Sequence, residues 1–306
     1  PPTVTRTKRE KGASIYMGDI SIGHAFDLYC MDEITMRHRS AKTEESYRVC
    51  QRHLQNFFGD VNMQTINYED IRKWRNHIST WMGPDTVRGN LICIRRVLWY
   101  LRKKKYQVLD YDEIPVPKRM KRVIKYLNED EFWQFVAVLN APRRGYKNES
   151  KLRNIAIAHL IFFTGLRNGE VCALNRNSFK KGKATIIGKS RDPRLVFINQ
   201  STQAAVDAYL NARKDNDKAL FTSPQTGERV TEGTLQRVFM AACNRSAFEG
   251  IHPHTLRHSH ATYMLEKQVD IRYIGDLMGH VDLNTTRLYT HYTNPKLENI
   301  YREACD

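Results

Sequence analysis

The sequence predicts a mainly α-helical protein: an N-terminal helical bundle followed by a mostly helical second domain with one small antiparallel β-sheet. Three observations carry this. Apolar residues recur at three- and four-residue steps along most of the chain, the period that gives a helix one buried face. The exceptions are two short β-branched runs, Ala184-Thr185-Ile186-Ile187 and Leu195-Val196-Phe197-Ile198, joined by the charged turn Gly188 to Pro193, which reads as a hairpin. Finally, the 306 residues exceed what one core usually serves, roughly 250–300 residues, and a basic, proline-containing stretch near the middle supplies a boundary.

Residues 1–18 mix charge with Gly12 and Gly18 and show no period, as expected of a flexible basic arm. Residues 19–112 form the expected bundle of about four helices. Ile22, Ala25, Phe26 and Tyr29 mark the first helix, and Tyr47, Cys50, His53, Leu54, Phe57 and Phe58 the second. Ile71, Trp74 and Ile78 mark the third, and Gly83-Pro84 breaks the chain before a fourth from Val87 to Leu101. That helix ends in Arg102, Lys103, Lys104 and Lys105, cations that suit a helix C-terminus and equally a DNA backbone. Thr43, Ser46 and Arg48 are further candidate phosphate contacts, Thr43 being equally a helix cap or an exposed turn residue.

Residues 113–126 form the expected linker. Pro115 and Pro117 block regular structure, and Lys118, Arg119, Lys121, Arg122 and Lys125 follow with no acid among them. Such a segment is either simply solvated or laid along a nucleic-acid backbone between two lobes that enclose a duplex. The second domain, 127–306, opens with Asn128 capping a helix whose first turn is acidic. Arg143 to Lys151 is polar and turn-like, a buried helix runs from Leu152 to Thr164 and stops at Gly165, and another starts near Asn168. After the hairpin come helices at Ser201–Ala212, Thr231–Ala247, Pro253–Lys267, Asp270–Met278, Leu283–Tyr292 and Pro295–Ala304.

With 49 Lys+Arg against 33 Asp+Glu, the net charge of +16 points to a polyanionic partner. The six cysteines are scattered without C-x-x-C spacing, which reads as reduced thiols of an intracellular protein. The longest apolar run, Ile155 to Phe163, is interrupted by His159 and falls short of the ~20 residues that span a bilayer. Pro1 to Lys11 is basic with no apolar run behind it, so no secretion signal is expected. A cytoplasmic, nucleoid-associated protein follows as the expectation.

Candidate chemistry concentrates near the end of the chain. Pro253 suits the first turn of a helix, placing His254 and Arg257 three residues apart near an N-terminus that favours anions. His254 and His258 at i, i+4 also raise a zinc site, but no third ligand with suitable spacing accompanies them, so no metal is expected.

Four segments together resemble the tyrosine recombinase (phage integrase) family, including its Xer-type members. Thr164-Gly165-Leu166-Arg167-Asn168-Gly169-Glu170-Val171 is similar to the family's first box, Lys189 sits like its β-hairpin lysine, and His254-Thr255-Leu256-Arg257-His258 is similar to its second box. Leu277-Met278-Gly279-His280 and Leu288-Tyr289-Thr290-His291 resemble the closing segment. The resemblance implies a catalytic set of Arg167, Lys189, His254, Arg257, His280 and the nucleophile Tyr289, with Glu170 in support. It further implies a core-binding clamp for the N-terminal bundle, double-stranded DNA with an inverted-repeat site as partner, no cofactor, and a homotetramer on two duplexes. Residues 295–304, with Leu297, Ile300, Tyr301 and Ala304 on one stripe, would dock either within their own domain or on a neighbour. Arg191 at the hairpin tip joins the candidate DNA contacts.

The residue types fit that chemistry. A phosphodiester attacked by a phenol passes through a crowded, highly negative state that fixed cations stabilise, and arginines donate to it bidentately where lysine cannot. Tyrosine has a pKa near ~10, so Tyr289 needs an acceptor such as His254, and the leaving 5′-oxygen needs an acid such as Lys189. Tyr292 is the rival nucleophile, but only Tyr289 stands nine residues after His280. A type IB topoisomerase, an inactive DNA-binding accessory protein and a metal-dependent nuclease are the competing assignments.

Overall fold

A computed structural model describes residues 18–119, 125–188 and 193–279. The chain divides into two compact units, Pro1–Lys121 and Arg122–Asp306.

In the first unit, helix α1 (Ile22–Tyr29) passes directly into a π-helical turn at Cys30–Thr35 and is followed by α2 (Ala41–Phe58), α3 (Tyr68–Ser79) and α4 (Pro84–Lys103). Each start has a local cause. Ser21 and Ser40 accept backbone N–H groups ahead of α1 and α2, Asn67 and Asp70 exchange reciprocal bonds at α3, and Pro84 occupies the first turn of α4. Phe26, Leu54, Trp74, Ile94 and Leu101 meet in a core that excludes water. Ser40, not Thr43, caps α2: the Ser40 Oγ accepts the Thr43 amide at 3.3 Å, and Thr43 sits within the first turn.

The second unit is built around α6 (Asn148–Thr164), against which α5 (Glu129–Asn140), α7 (Asn168–Ala173), α8 (Gln200–Ala212) and α10 (Pro253–Glu266) pack. Ala156, Ile157, Ala158, Leu160, Ile161 and Phe162 are all buried, so the middle of this helix is enclosed on all sides and lies inside the domain. The hairpin pairs β1 (Lys183–Ile187) with β2 (Pro193–Phe197), Ile187 opposite Pro193 and Lys183 opposite Phe197. Ala184, Ile186 and Val196 turn inward, while Ile187, Leu195 and Phe197 are exposed. Helices α9 (Glu232–Cys243) and α11 (Ile271–Met278) complete the described residues.

The mainly helical class with one small antiparallel sheet is therefore observed, with local differences. Helix α6 starts at Asn148 rather than Leu152; its first turns look polar because Ser150, Arg153 and Asn154 are buried polar side chains, and Asn154 Nδ2 donates to the Tyr146 hydroxyl at 2.6 Å. Pro193 belongs to β2, not to the turn, and the strand takes in Arg194 as well. Helix α9 ends at Cys243, short of Ala247, where the Ser246 hydroxyl turns back to the Ala242 carbonyl at 2.9 Å. None of the five described cysteines is in a disulfide, and no helix among the described residues is long and apolar enough to cross a membrane.

Candidate active site

Arg167 sits between α6 and α7 because the chain must turn sharply there. Helix α6 stops at Gly165, whose φ of 64° is left-handed, and a Cβ at that position would stand 2.6 Å from His260 Cδ2. Only glycine meets both demands. The extended backbone of Arg167 then donates its amide to Glu170 Oε2 at 2.8 Å, fastening the carboxylate to the start of α7.

Glu170 is the hub of the site. Its Oε1 accepts from Arg167 Nη1 at 3.1 Å and from Arg194 Nη1 at 2.9 Å, and its Oε2 accepts from Arg194 Nη2 at 2.6 Å. Burial pushes the Glu170 carboxyl up, but the Arg194 hydrogen bonds, the Arg167 amide and the two guanidinium charges outweigh it and hold the group below its ordinary range. In the sequence Arg194 falls between the turn and the second β-branched run and is given no role. Placed in the strand by the Ile186 pairing, it faces inward from the same side of the hairpin as Val196. The sequence signal that points to it is the period-2 alternation continued backwards from Val196 through Arg194.

The arginines also satisfy a helix end. Leu277, Met278 and Gly279 present carbonyls at the C-terminus of α11 that have no intrahelical donor. Arg194 Nε donates to Leu277 O at 2.9 Å, Arg257 Nη2 to Met278 O at 2.7 Å, and Arg167 Nη2 to Gly279 O at 2.6 Å. Arg257 Nη1 donates as well to Gly165 O at the end of α6. Three guanidiniums, from the start of α7, β2 and α10, thus gather at one helix end, two of them paired with the one carboxylate, leaving a cationic excess suited to an anion. Gly188, at the end of β1, lies close enough that a Cβ would come within 3.1 Å of Glu170 Oε1 and 3.4 Å of Arg167 Nη1.

His254 is exposed one turn before the buried Arg257 on α10. Partial burial of its ring, then the charge of Arg257, lowers its pKa, so the ring is neutral near pH 7 and able to accept a proton. The other histidines of the run are structural. His252 Nδ1 accepts the Thr255 amide at 3.1 Å as the cap of α10; His258 is held near pKa 4 by burial, then by His254; and buried His260 has Nδ1 2.8 Å from Phe162 O. Among the described residues no three His, Cys, Asp or Glu side chains cluster as metal ligands.

Lys189, Arg191, His280, Tyr289, Lys121, Arg122 and residues 295–304 lie outside the described residues; His280 directly follows Gly279 in the chain. Several candidate DNA contacts are engaged inside the first unit. Arg48 is ion-paired with Asp27 and, at 3.4 Å, with Glu44; Lys104 pairs with Asp32 at 2.8 Å; and Lys103 lies over the Trp99 ring at 5.3 Å. Lys105, Lys118 and Arg119 are exposed.

Residues 125–295 match the phage integrase family. The chain is 28% identical over 295 residues to tyrosine recombinase XerC of Pseudomonas savastanoi pv. phaseolicola (strain 1448A / Race 6), covering 91% of this chain and 94% of that protein. It is 31% identical over 248 residues to tyrosine recombinase XerD of Halalkalibacterium halodurans, covering 78% and 81%. In fold it resembles the XerH site-specific recombinase bound to palindromic difH substrate (TM-score 0.65, 21% identity, 86% and 80% covered). It also resembles the lambda integrase dimer bound to a COC′ core site (TM-score 0.72, 15% identity, 91% and 80% covered). The fold is that of the tyrosine recombinases. The chain belongs to the phage integrase family and is an enzyme of the tyrosine site-specific recombinase class.

Proposed function

We propose that this chain cleaves and rejoins DNA at a specific site through a 3′-phosphotyrosyl intermediate, with Tyr289 as nucleophile. The observation that carries this is the set of Arg167 and Arg194, paired with Glu170, and Arg257, all three fastened to the carbonyls that immediately precede His280. Arg167 and Arg257 bind the non-bridging oxygens of the scissile phosphate, with His280 as a further donor. The Tyr289 oxygen attacks phosphorus and gives its proton to neutral His254. The bond from phosphorus to the 5′-oxygen breaks, and the Lys189 ammonium gives that oxygen a proton. A 5′-hydroxyl from another strand reverses the step and rejoins the backbone without ATP, and fixed guanidiniums supply the positive charge without a metal.

In the wider reading, residues 19–112 clamp a duplex, 113–126 form a basic linker along it, and 127–306 carry the chemistry on an inverted-repeat site. Residues 295–304 link four copies on two duplexes in the cytoplasm, at the nucleoid. The DNA-bound fold neighbours support duplex DNA as partner. The reaction serves dimer resolution or integration and excision; the Xer-named relatives along most of the chain favour the former. A nicked suicide duplex tests the mechanism: wild type should trap a covalent adduct with or without EDTA, and Tyr289→Phe should bind DNA but trap none. An adduct surviving in that variant moves the nucleophile to Tyr292, and no adduct in wild type sinks the mechanism. Strand exchange between two duplexes separates recombinase from topoisomerase.

A further inference from the structure

A cavity of about 370 Å³ opens in the second unit between α6, α9 and the loops at 143–146 and 223–226, and its lining contains none of the candidate catalytic residues. Four arginines line it, Arg143, Arg153, Arg237 and Arg245, and no aspartate or glutamate does. Elsewhere in this fold arginines find carboxylates: Arg194 has Glu170, Arg213 has Asp215 and Arg95 has Asp112. Here every hydrogen-bond acceptor among the described residues is neutral. Arg153 donates to Asn154 Oδ1 and Thr222 O, Arg245 to Ala241 O and Val138 O, and Arg237 to Gly233 O and Thr234 Oγ1. Arg143 lies over the Tyr146 ring at 4.6 Å.

Arg153 is the informative member. It is only 4% exposed, and its bonds use three guanidinium hydrogens of the five that an arginine carries, leaving two without an acceptor among the described residues. A buried cation surrounded by neutral acceptors is costly unless something supplies the counter-charge. The strain shows in the neighbouring charges too: burial first, and then repulsion from Arg143, lowers the pKa of Arg245. Helix α9 turns Thr234, Arg237 and Ala241 to this side at helical spacing, beside the stripe of Leu235, Phe239 and Ala242 that fills the core, and Arg245 joins them from the turn just past the helix end.

We propose that this cavity is a second anion site that receives a phosphate group, with Arg153 as its floor and Arg143, Arg237 and Arg245 as its rim. The forked guanidiniums match phosphate oxygens two at a time, and the hydroxyl and amide of Thr234 and Gln225 on the lining add neutral donors. Two sources share this chemistry: a backbone phosphate of the DNA, which rests on the function proposed above, or a small free polyphosphate, which does not.

The test uses the full chain and the double variant Arg143→Gln/Arg237→Gln, both rim residues being exposed. Equal melting by circular dichroism without ligand establishes that the variant is folded. Pyrophosphate titrated calorimetrically should bind the wild type and bind the variant at least about tenfold more weakly, a difference of ~1.4 kcal/mol. In parallel, the slope of log affinity for duplex DNA against log salt should become shallower by about 0.9 for each backbone phosphate lost. A changed slope assigns the site to DNA, and a change confined to pyrophosphate assigns it to a free polyphosphate. The proposal is overturned if neither measurement separates variant from wild type. A chain that passes here yet forms no adduct with the suicide duplex would cost the recombination mechanism, not the anion site.

Discussion

Replacing Glu170 by glutamine tests whether charge at the hub holds the arginine cradle together. The substitution keeps shape and one carbonyl acceptor but removes the negative charge that Arg194 meets with two bonds, at 2.9 and 2.6 Å. Both partners are buried, their side chains 8% and 9% exposed. Removing one member of a buried pair costs about 3–5 kcal/mol because the other charge is left uncompensated; the amide oxygen that remains still accepts one bond, worth ~1 kcal/mol. We therefore expect a loss of about 3 kcal/mol in urea unfolding at pH 7. The cost must depend on pH with a definite sign. The folded pKa of Glu170 lies below its ordinary 4.5, so its contribution is present above pH 4.5 and is lost as pH falls through the folded value. The gap between wild type and variant should accordingly narrow at acid pH. A loss below about 1 kcal/mol at pH 7, or one that stays constant into acid, would refute the reasoning.

Gly165→Ala places a Cβ in a left-handed residue and against the His260 ring; it should cost about 2 kcal/mol or more in urea unfolding, and a neutral result would show that the turn relaxes freely. Single-turnover cleavage should need neutral His254: its pKa is lowered, so the rate is full above the ordinary imidazole value and falls with acid at a midpoint below it. A midpoint above ~6.5 would remove His254 as base. His159 is buried beside Phe132, Trp133 and Phe163, burial holds it near pKa 4, and its Nδ1 has no partner among the described residues. Because the unfolded chain takes up that proton first, stability should fall from about pH 6.5 toward 4. His159→Phe should flatten that fall and gain about 1 kcal/mol at pH 7, whereas an unchanged pH profile would count against it.

What the sequence by itself determined is what depends on near neighbours. The helical period marked the helices, a glycine after Thr164 marked the turn that presents Arg167, and Asn128 with Glu131 marked the start of α5, where the reciprocal bonds are both made at 2.9 Å. Arg167, Glu170, His254 and Arg257 were legible as candidates because they fall within short segments whose order is itself a pattern. Arg194 was not, because its role depends on strand register: it reaches Glu170 across 24 positions only when Ile186 pairs with it. The carbonyls of Leu277, Met278 and Gly279 were equally invisible, since every residue has a carbonyl and only the meeting of α7, β2 and α10 at the end of α11 makes those three acceptors. The four-arginine cavity was beyond the sequence for the same reason. A charge count gives +16 for the chain, but which cations lack an acid beside them is decided by packing between residues distant in sequence.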